Sequence, residues 1–582
     1  MELNYTIERN ALIVVSLLKQ YGVKRIIASP GTTNKVLVWS LQQDSFFEIY
    51  SSVDERSAAY LACGMAAESG EPVAITCTGA TASRNYLSGL TEAYYRKLPV
   101  IAITSHQGID RLGHLRPQNV DRRQSQLDIA MVHVDVPMIK DKRDEQFCIN
   151  EVNKALHYMT RKGGGPVHIN LFTYYSKDFS NKQMPTPKRI YHHSVFSDLP
   201  KFPELDHVVV CVGSHKLFTR EETEALDLFC ATHNAIVYCD HTSGYHGAYK
   251  AQMALVYCQE NYVSPNKQID LLIHIGEMSG DYYFYRANIR NVWRVSEDGE
   301  IRDTYERITR VFEMPEQYFF EYYSEEGSNK HSYLDECLNE YDSLLEQMPE
   351  LPFSNLWTAK RMHDKLPANS VLHLGILNSL RSWNFFEIDD SIQSYCNVGG
   401  FGIDGGLSSL IGASLVNQDK LYFGVFGDLA FFYDLNVLGN RHVGKNLRIM
   451  LVNNGCGTEF RNYSHDCHVF GEEANAFMAA AGHFGHKSPD LVKHYSLDLG
   501  YMYLSASNKE EFLEAMKIFC EEKIEKTIIF EVFTDSKDES DALKSVLTYQ
   551  YDAKYVLKRK ARAQVRILKD GIKKRLTKII NK

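Results

Sequence analysis

The sequence is most informative first for what it lacks. No run approaches the roughly eighteen uncharged apolar residues that a membrane span needs. The start, MELNYTIERNALIVVSLLKQ, has no basic segment leading into a long apolar core, so a secretory leader is not expected. The 12 cysteines follow no regular framework; without an export signal they read as reduced thiols of a cytoplasmic protein. There is no short-period repeat and no low-complexity tract. The middle of the chain has no glycine-rich dinucleotide fingerprint after a strand, so bound FAD is not expected there.

What is present is an ordinary globular composition, 44% hydrophobic and 24% charged. A length of 582 residues exceeds what one core sustains. The net charge of −9 hides an asymmetry. Between Lys554 and Lys582 twelve basic residues face one acidic residue, a net +11, which leaves the remaining chain at −20. In that tail Leu557, Ala561, Val565, Leu568, Ile572, Leu576 and Ile579 recur at helical spacing, and Lys and Arg cover the other positions. Such a basic amphipathic helix suits an anionic membrane surface, the acidic body or a partner protein. Nucleic acid is the least favoured partner.

Apolar segments ending in small or turn-forming residues alternate with helical patterns in three blocks, which predicts parallel sheets covered by helices on both faces. The first block holds RIIASP, PVAITCT, LPVIAITS and GGGPVHINL. The second holds HVVVCVG, AIVYCD, DLLIHIG and VWRVS. The third holds SVLHLG, LYFGVFGD, LRIMLVNN and TIIFEVF. Polar stretches, KQMPTPKRIYHHSVFSDLPKFPELD and the one beginning SEEGSNKHS, read as linkers. The expected organisation is a first domain over 1–180, a central α/β domain over 195–335, a third over 352–540 and the basic tail over 541–582.

The third block carries the sharpest chemical pattern. One apolar strand ends at Gly427-Asp428 and the next at Asn453-Asn454, with Asn454 lying 26 residues after Asp428. That spacing is one strand–helix–strand crossover, which brings Asp428 and Asn454 side by side at the carboxyl edge of the sheet. Two hard oxygen donors there suit Mg²⁺, and the Gly427-Asp428-Leu429-Ala430 turn offers backbone N–H groups to a diphosphate. Taken singly, each motif is an ordinary strand-to-turn step. The pairing on adjacent strand ends is what points to a site.

Here the sequence resembles the thiamine-diphosphate-dependent enzymes, whose signature is Gly-Asp, some 25 residues, then Asn-Asn. The first block is similar to the same superfamily. Ser51-Ser-Val-Asp-Glu55 resembles the step bearing its activating glutamate, Cys77-Thr-Gly79-Ala-Thr-Ala-Ser-Arg-Asn85 its glycine-rich turn, and Gly165-Pro-Val-His-Ile-Asn170 the end of its pyrimidine domain. The likeness reaches to about residue 535. Ser29-Pro30-Gly31, Asp54–Ala59, Pro117-Gln118, Gly402-Ile403-Asp404-Gly405 and Gly427-Asp428-Leu429 are also similar to motifs of the menaquinone-pathway synthase family that couples 2-oxoglutarate to isochorismate.

The resemblance implies three doubly wound domains: pyrimidine-binding, central, and diphosphate/Mg²⁺-binding. It implies thiamine diphosphate and Mg²⁺ as cofactors. Glu55 and Gln118 would serve catalysis. Gly79, Asn85, Ile403, Gly427, Asp428, Leu429, Ala430 and Asn454 would join Glu55 in holding the cofactor. Asp428, Asn454 and the backbone of Cys456 would hold the metal. A homodimer or homotetramer follows, because the two halves of such a site come from different subunits. The likeness weakens where the synthase family has arginines for carboxylate-rich substrates. Those places read Thr32-Thr33, His106-Gln107-Gly108, Asn397-Val398-Gly399 and Trp383, with Arg381 nearby. Charge-assisted contacts contribute about 1.5–3 kcal/mol each, and planar forks suit carboxylates. The expected donor is therefore a 2-oxo acid other than 2-oxoglutarate, met by Thr32, Thr33, His106, Gln107, Gln118 and Arg381, with a carbonyl acceptor where ligation occurs. The alternatives are the menaquinone-pathway synthase itself and a cofactor-binding scaffold without turnover. Cys456, His465, Cys467 and His468 are too irregularly spaced to favour zinc.

Overall fold

The computed structural model describes residues 4–121, 126–483, 488–555, 557 and 561. The basic helix expected over the C-terminal tail falls almost wholly outside the described residues. The chain forms two compact units, Met1–Leu199 with Glu297–Glu313, and Pro200–Ser296 with Met314–Lys582.

In the first unit, six parallel strands run β1 (Arg25–Ala28), β2 (Glu48–Ser51), β3 (Val73–Thr78), β4 (Val100–His106), β5 (His133–Val136) and β6 (Val167–Phe172). Their spatial order is β2-β1-β3-β4-β6-β5. β4 and β6 are buried along their whole length, as a sheet covered on both faces requires. Alternation sends Ile26, Ala74, Ile101, Ile103 and Ile169 into one apolar layer, and Ile27, Ile75, Cys77 and Ala102 into the other. Each fully buried branched side chain contributes about 1.5–3 kcal/mol.

The same unit holds β7 (Tyr191–Ser194), which lies within a stretch expected to be a linker. β7 pairs in parallel with a later strand of this unit, Ile308–Glu313. Its His192 Nε2 lies 2.8 Å from Glu313 Oε2, and Arg161 Nε donates to the same oxygen at 2.7 Å. The return of 297–313 to the first unit was hidden from the sequence, because it depends on ion pairs spanning more than a hundred residues.

The second unit contains two sheets. One contains β8 (Val208–Val212), β9 (Ala235–Tyr238), β10 (Lys250–Ala251), β11 (Gln268–Ile275) and β12 (Asn288–Ser296), ordered β10-β9-β8-β11-β12; the strand Ile308–Glu313 of the first unit is β13. The other is formed by β14 (Val371–Leu374), β15 (Gln393–Tyr395), β16 (Tyr422–Gly427), β17 (Leu447–Asn453), β18 (Met502–Ala506) and β19 (Ile528–Phe533), ordered β15-β14-β16-β17-β19-β18. All ladders in both are parallel. In each six-stranded sheet the chain order reverses beside the first strand, and the crevice at such a switch point is where open α/β sheets bind ligands. Among the described residues no helix is long and apolar enough to cross a membrane.

Candidate active site

In the first unit, the turn after β2 delivers Glu55 as the first residue of α1 (Glu55–Ser69). Asp54 caps this helix. Its carboxylate accepts from Arg56 N at 3.2 Å and from Ser57 Oγ at 2.7 Å, satisfying a main-chain donor of the first turn. After β3, Gly79 caps α2 (Ala80–Asn85). The last residue of α2 reaches back, and Asn85 Nδ2 donates to Glu55 Oε2 at 3.0 Å. The structure thus joins two residues that the sequence places thirty positions apart. The Ser29-Pro30-Gly31 loop closes the same edge, since a Cβ on Gly31 would collide with Thr78 Cγ2. Beside α2 a cavity of about 460 Å³ opens, lined by Arg84, Tyr86, Thr104, Gln126, His133 and His168 among others.

The expected substrate residues of this unit fare differently. Thr33 is buried, and its hydroxyl donates to Ser105 O at 2.7 Å, so it is spent on the main chain. Thr32 is exposed next to it. His106 ends β4, buried against Phe172 with ring centroids 4.4 Å apart. Gln107 Oε1 accepts from Arg111 Nη1 at 2.6 Å. Gln118 is exposed on a loop in the left-handed region, with φ +63°.

In the second unit, β16 ends at Gly427 and Asp428 begins α4 (Asp428–Tyr433), with α3 (Asn378–Trp383) on the loop after β14. Asp428 is only 5% exposed. Its Oδ2 accepts from Gly455 N at 2.6 Å and Asn454 N at 3.2 Å, and its Oδ1 from Leu429 N at 2.7 Å. Burial pushes this carboxyl up to about 6, although the main-chain donors pull the other way. Gly455 adopts φ +75°, the left-handed turn that aims these N–H groups at the carboxylate. The two asparagines part company. Asn453 Nδ2 turns inward to Glu531 Oε1 at 2.7 Å, while Asn454 stays at the edge, its Oδ1 accepting from Cys456 N at 3.4 Å. Cys456 is buried, and its carbonyl accepts from Thr458 N at 2.9 Å. Ala430 is buried, and Ile403 packs half-buried against the same core.

A buried carboxylate with no cation against it among the described residues, beside an amide oxygen, is a hard-oxygen donor set suited to a divalent ion and a bound anion. Among the described residues no three His, Cys, Asp or Glu side chains gather into a metal-binding cluster. The set is thus one carboxylate, one amide and main chain.

Two features escaped the sequence. Glu539 is buried, accepting from Asn355 N at 2.9 Å and Thr534 Oγ1 at 2.7 Å; burial, helped by the Asp428 charge, raises it to about 7. Arg381 is locked in a two-pronged pair with Glu459 at 2.7 and 2.8 Å. No linear signal marks either, since the partners lie 184 and 78 residues apart.

Comparison with known proteins agrees with this geometry. Residues 9–127 match the family described as "Thiamine pyrophosphate enzyme, N-terminal TPP binding domain". Over most of its length the chain is similar to proteins named 2-succinyl-5-enolpyruvyl-6-hydroxy-3-cyclohexene-1-carboxylate synthase. The one from Bacteroides thetaiotaomicron is 28% identical, covering 93% of this chain and 98% of the relative. The one from Flavobacterium psychrophilum is 26% identical over 90% and 96% respectively, and that from Porphyromonas gingivalis 23% over 96% and 100%. Three parallel-sheet α/β layers, the matched N-terminal domain and these full-length relatives together mark the chain as a thiamine-diphosphate-dependent enzyme of the lyase and transferase type.

Proposed function

We propose that the chain binds thiamine diphosphate with Mg²⁺, cleaves a 2-oxo acid beside its carbonyl, and passes the remaining fragment to a proton or to a carbonyl acceptor. The observation that carries this is Asp428, a buried carboxylate held by three main-chain N–H groups on the same edge as Asn454. Asp428 and Asn454 offer oxygen to the metal, together with main chain near Cys456. The bound cofactor supplies an electron sink next to the reacting carbonyl. Glu55 would hydrogen-bond N1′ of the aminopyrimidine, and Asn85 orients its carboxylate. Gly79 and Ile403 would help to hold the cofactor, and Gln118 would meet the donor. Leu429 and Ala430 present the helix start to the diphosphate.

Glu55 belongs to the first compact unit and Asp428 to the second. The proposal includes a homodimer, or a homotetramer of such pairs, in which one subunit supplies Glu55 and the other Asp428. Val53, Tyr60 and Leu61 around Glu55 are 79%, 47% and 48% exposed, an apolar surface suited to a second copy. Calorimetric titration of thiamine diphosphate tests the core of this reading. Uptake that requires Mg²⁺ is expected, and no uptake with Mg²⁺ present would overturn it.

For the donor we propose a 2-oxo acid without a second carboxylate. Support comes from Trp383, fully buried where the resemblance places an arginine, and from Arg381, whose fork Glu459 already fills. The second reading, 2-oxoglutarate with isochorismate, is favoured by the names of the relatives. A panel of 2-oxo acids separates them, since preference for 2-oxoglutarate with product from isochorismate selects the second. We place the enzyme in the cytoplasm, with the basic tail able to reach the inner membrane surface. Flotation with anionic liposomes should recover the full chain about tenfold better than a chain ending at Ala553; equal recovery removes the membrane role.

A further inference from the structure

The carboxyl edge that holds Asp428 and Asn454 also carries an internal ion pair, Arg381 with Glu459. Arg381 lies on α3, seven residues past the end of β14. Glu459 lies in the 3₁₀ turn Thr458–Arg461, five residues past Asn454. Between them on that loop, Gly457 packs against Leu429 of α4, so the pair stands at the rim of the same cradle. The fork is saturated. Arg381 Nη1 and Nη2 reach the two Glu459 oxygens at 2.7 and 2.8 Å, and Nη1 also donates to Asn378 Oδ1 at 3.0 Å. Asn462 Nδ2 donates to Glu459 Oε2 at 3.2 Å and to Asn378 Oδ1 at 3.3 Å. The guanidinium carbon sits 4.5 Å from the centre of the Tyr282 ring. The two side chains are 8% and 17% exposed. Burial opposes both charges, but each partner more than offsets it. Arg381 is held above its ordinary value and Glu459 below.

A guanidinium fork is the group that recognises a planar carboxylate. Here the chain supplies that carboxylate itself. Two residues beyond Arg381, the indole of Trp383 is fully buried, and its Nε1 has no hydrogen-bond partner among the described residues. We propose that Glu459 is the donor-specificity residue: its carboxylate occupies the place of a second substrate carboxylate on Arg381, so the site admits 2-oxo acids with an uncharged tail and excludes dicarboxylates. This rests on the reading that a 2-oxo acid donor binds at this edge. A dicarboxylate entering here must either displace Glu459, leaving it buried without its partner, or bring another negative charge to a neutralised pair, and both are costly in a dry site.

The test uses the full chain with thiamine diphosphate and Mg²⁺. Glutarate, an unreactive dicarboxylate, is titrated by calorimetry, and kcat/KM is measured for 2-oxobutanoate and 2-oxoglutarate. Wild type should bind glutarate weakly and prefer 2-oxobutanoate. E459Q frees the fork while keeping its shape; it should bind glutarate at least tenfold more tightly and shift the kcat/KM ratio at least tenfold toward 2-oxoglutarate. E459S is the second route to an uncharged position should E459Q not fold. R381M/E459L removes both charges and should show neither gain, because no fork remains. A loop brace without a role in specificity would not produce tighter glutarate binding. Folded E459Q or E459S that binds glutarate no better than wild type, with wild type still preferring 2-oxobutanoate, overturns this inference alone. Wild type preferring 2-oxoglutarate overturns the donor reading beneath it.

Discussion

The first and last sheets are built to one plan, β2-β1-β3-β4-β6-β5 in one and β15-β14-β16-β17-β19-β18 in the other. In each, a glycine at the end of the third strand or directly after it caps a six-residue helix. Gly79 has φ −65° and ψ −162°, Gly427 φ −69° and ψ 163°. The step after the glycine separates them. Ala80 follows Gly79, and the candidate carboxylate of the first sheet comes from the turn after its second strand, as Glu55. Asp428 follows Gly427 directly, so the carboxylate of the last sheet stands at the helix start after the third strand and takes N–H groups from the turn after the fourth. Glu55 is half-buried and braced by one amide. Asp428 is buried and braced by main chain. One backbone plan thus yields a half-buried carboxylate braced by a side-chain amide and a buried carboxylate braced by main chain; in the proposed function the first meets the organic base of the cofactor and the second meets the metal. The shared plan is consistent with duplication followed by division of labour.

If that division holds, substitutions at the two carboxylates fail differently. Glu55→Gln should lower kcat by about 100- to 10,000-fold, the range for losing a positioned proton carrier, while Mg²⁺-dependent uptake of thiamine diphosphate stays within about threefold of wild type. Asp428→Asn should do the reverse and weaken that uptake at least about 100-fold, as loss of a charged metal ligand does. Equal loss of uptake in both variants would erase the distinction. The two asparagines sharpen it further. Asn454→Ala should weaken cofactor uptake about tenfold with little change in melting temperature. Asn453→Ala should lower stability by about 1–3 kcal/mol, because it leaves Oε1 of buried Glu531 without its donor while Tyr503 still holds Oε2. Asn85→Ala should reduce kcat about tenfold, the effect of one hydrogen bond of about 1.4 kcal/mol to a charged group.

The smallest effect is one of pH. Glu539 has its folded value raised from the ordinary carboxylate range to about 7. A raised acid binds its proton more tightly in the folded state, so the folded form loses stability as pH climbs from about 4.5 to 7. The loss is at most about 3 kcal/mol. Thermal unfolding without cofactor should show this decline, and Glu539→Gln should flatten it. An unchanged slope in the variant would assign the decline to other groups.

Strands β1, β3, β4, β6, β8, β9, β11, β12, β14, β16, β17 and β19 were legible as apolar runs, because a strand buried on both faces must be apolar throughout. The edge strands β2, β5, β15 and β18, as in Glu48–Ser51, carry a weaker signal and were not. β7 was read as linker, because its stability comes from Arg161, His192 and Glu313 rather than from apolar pattern. The site divides in the same way. Asp428 and Asn454 could be paired from spacing alone, since one crossover fixes where successive parallel strands end. Their neighbours could not, because Glu539 and the Arg381–Glu459 pair meet through contacts that no local period encodes.

Local pattern, then, was enough to establish parallel α/β layers and the thiamine-diphosphate type, and to single out Glu55 and Asp428 as the candidate carboxylates. These depend on burial and on strand–helix spacing, both written within some thirty residues of chain. Only the folded molecule decided which asparagine faces the site, which hydroxyl is spent on the main chain, and that Arg381, near the expected donor position, already holds a carboxylate of its own. Those outcomes are set by distances between side chains that folding brings together from remote parts of the chain.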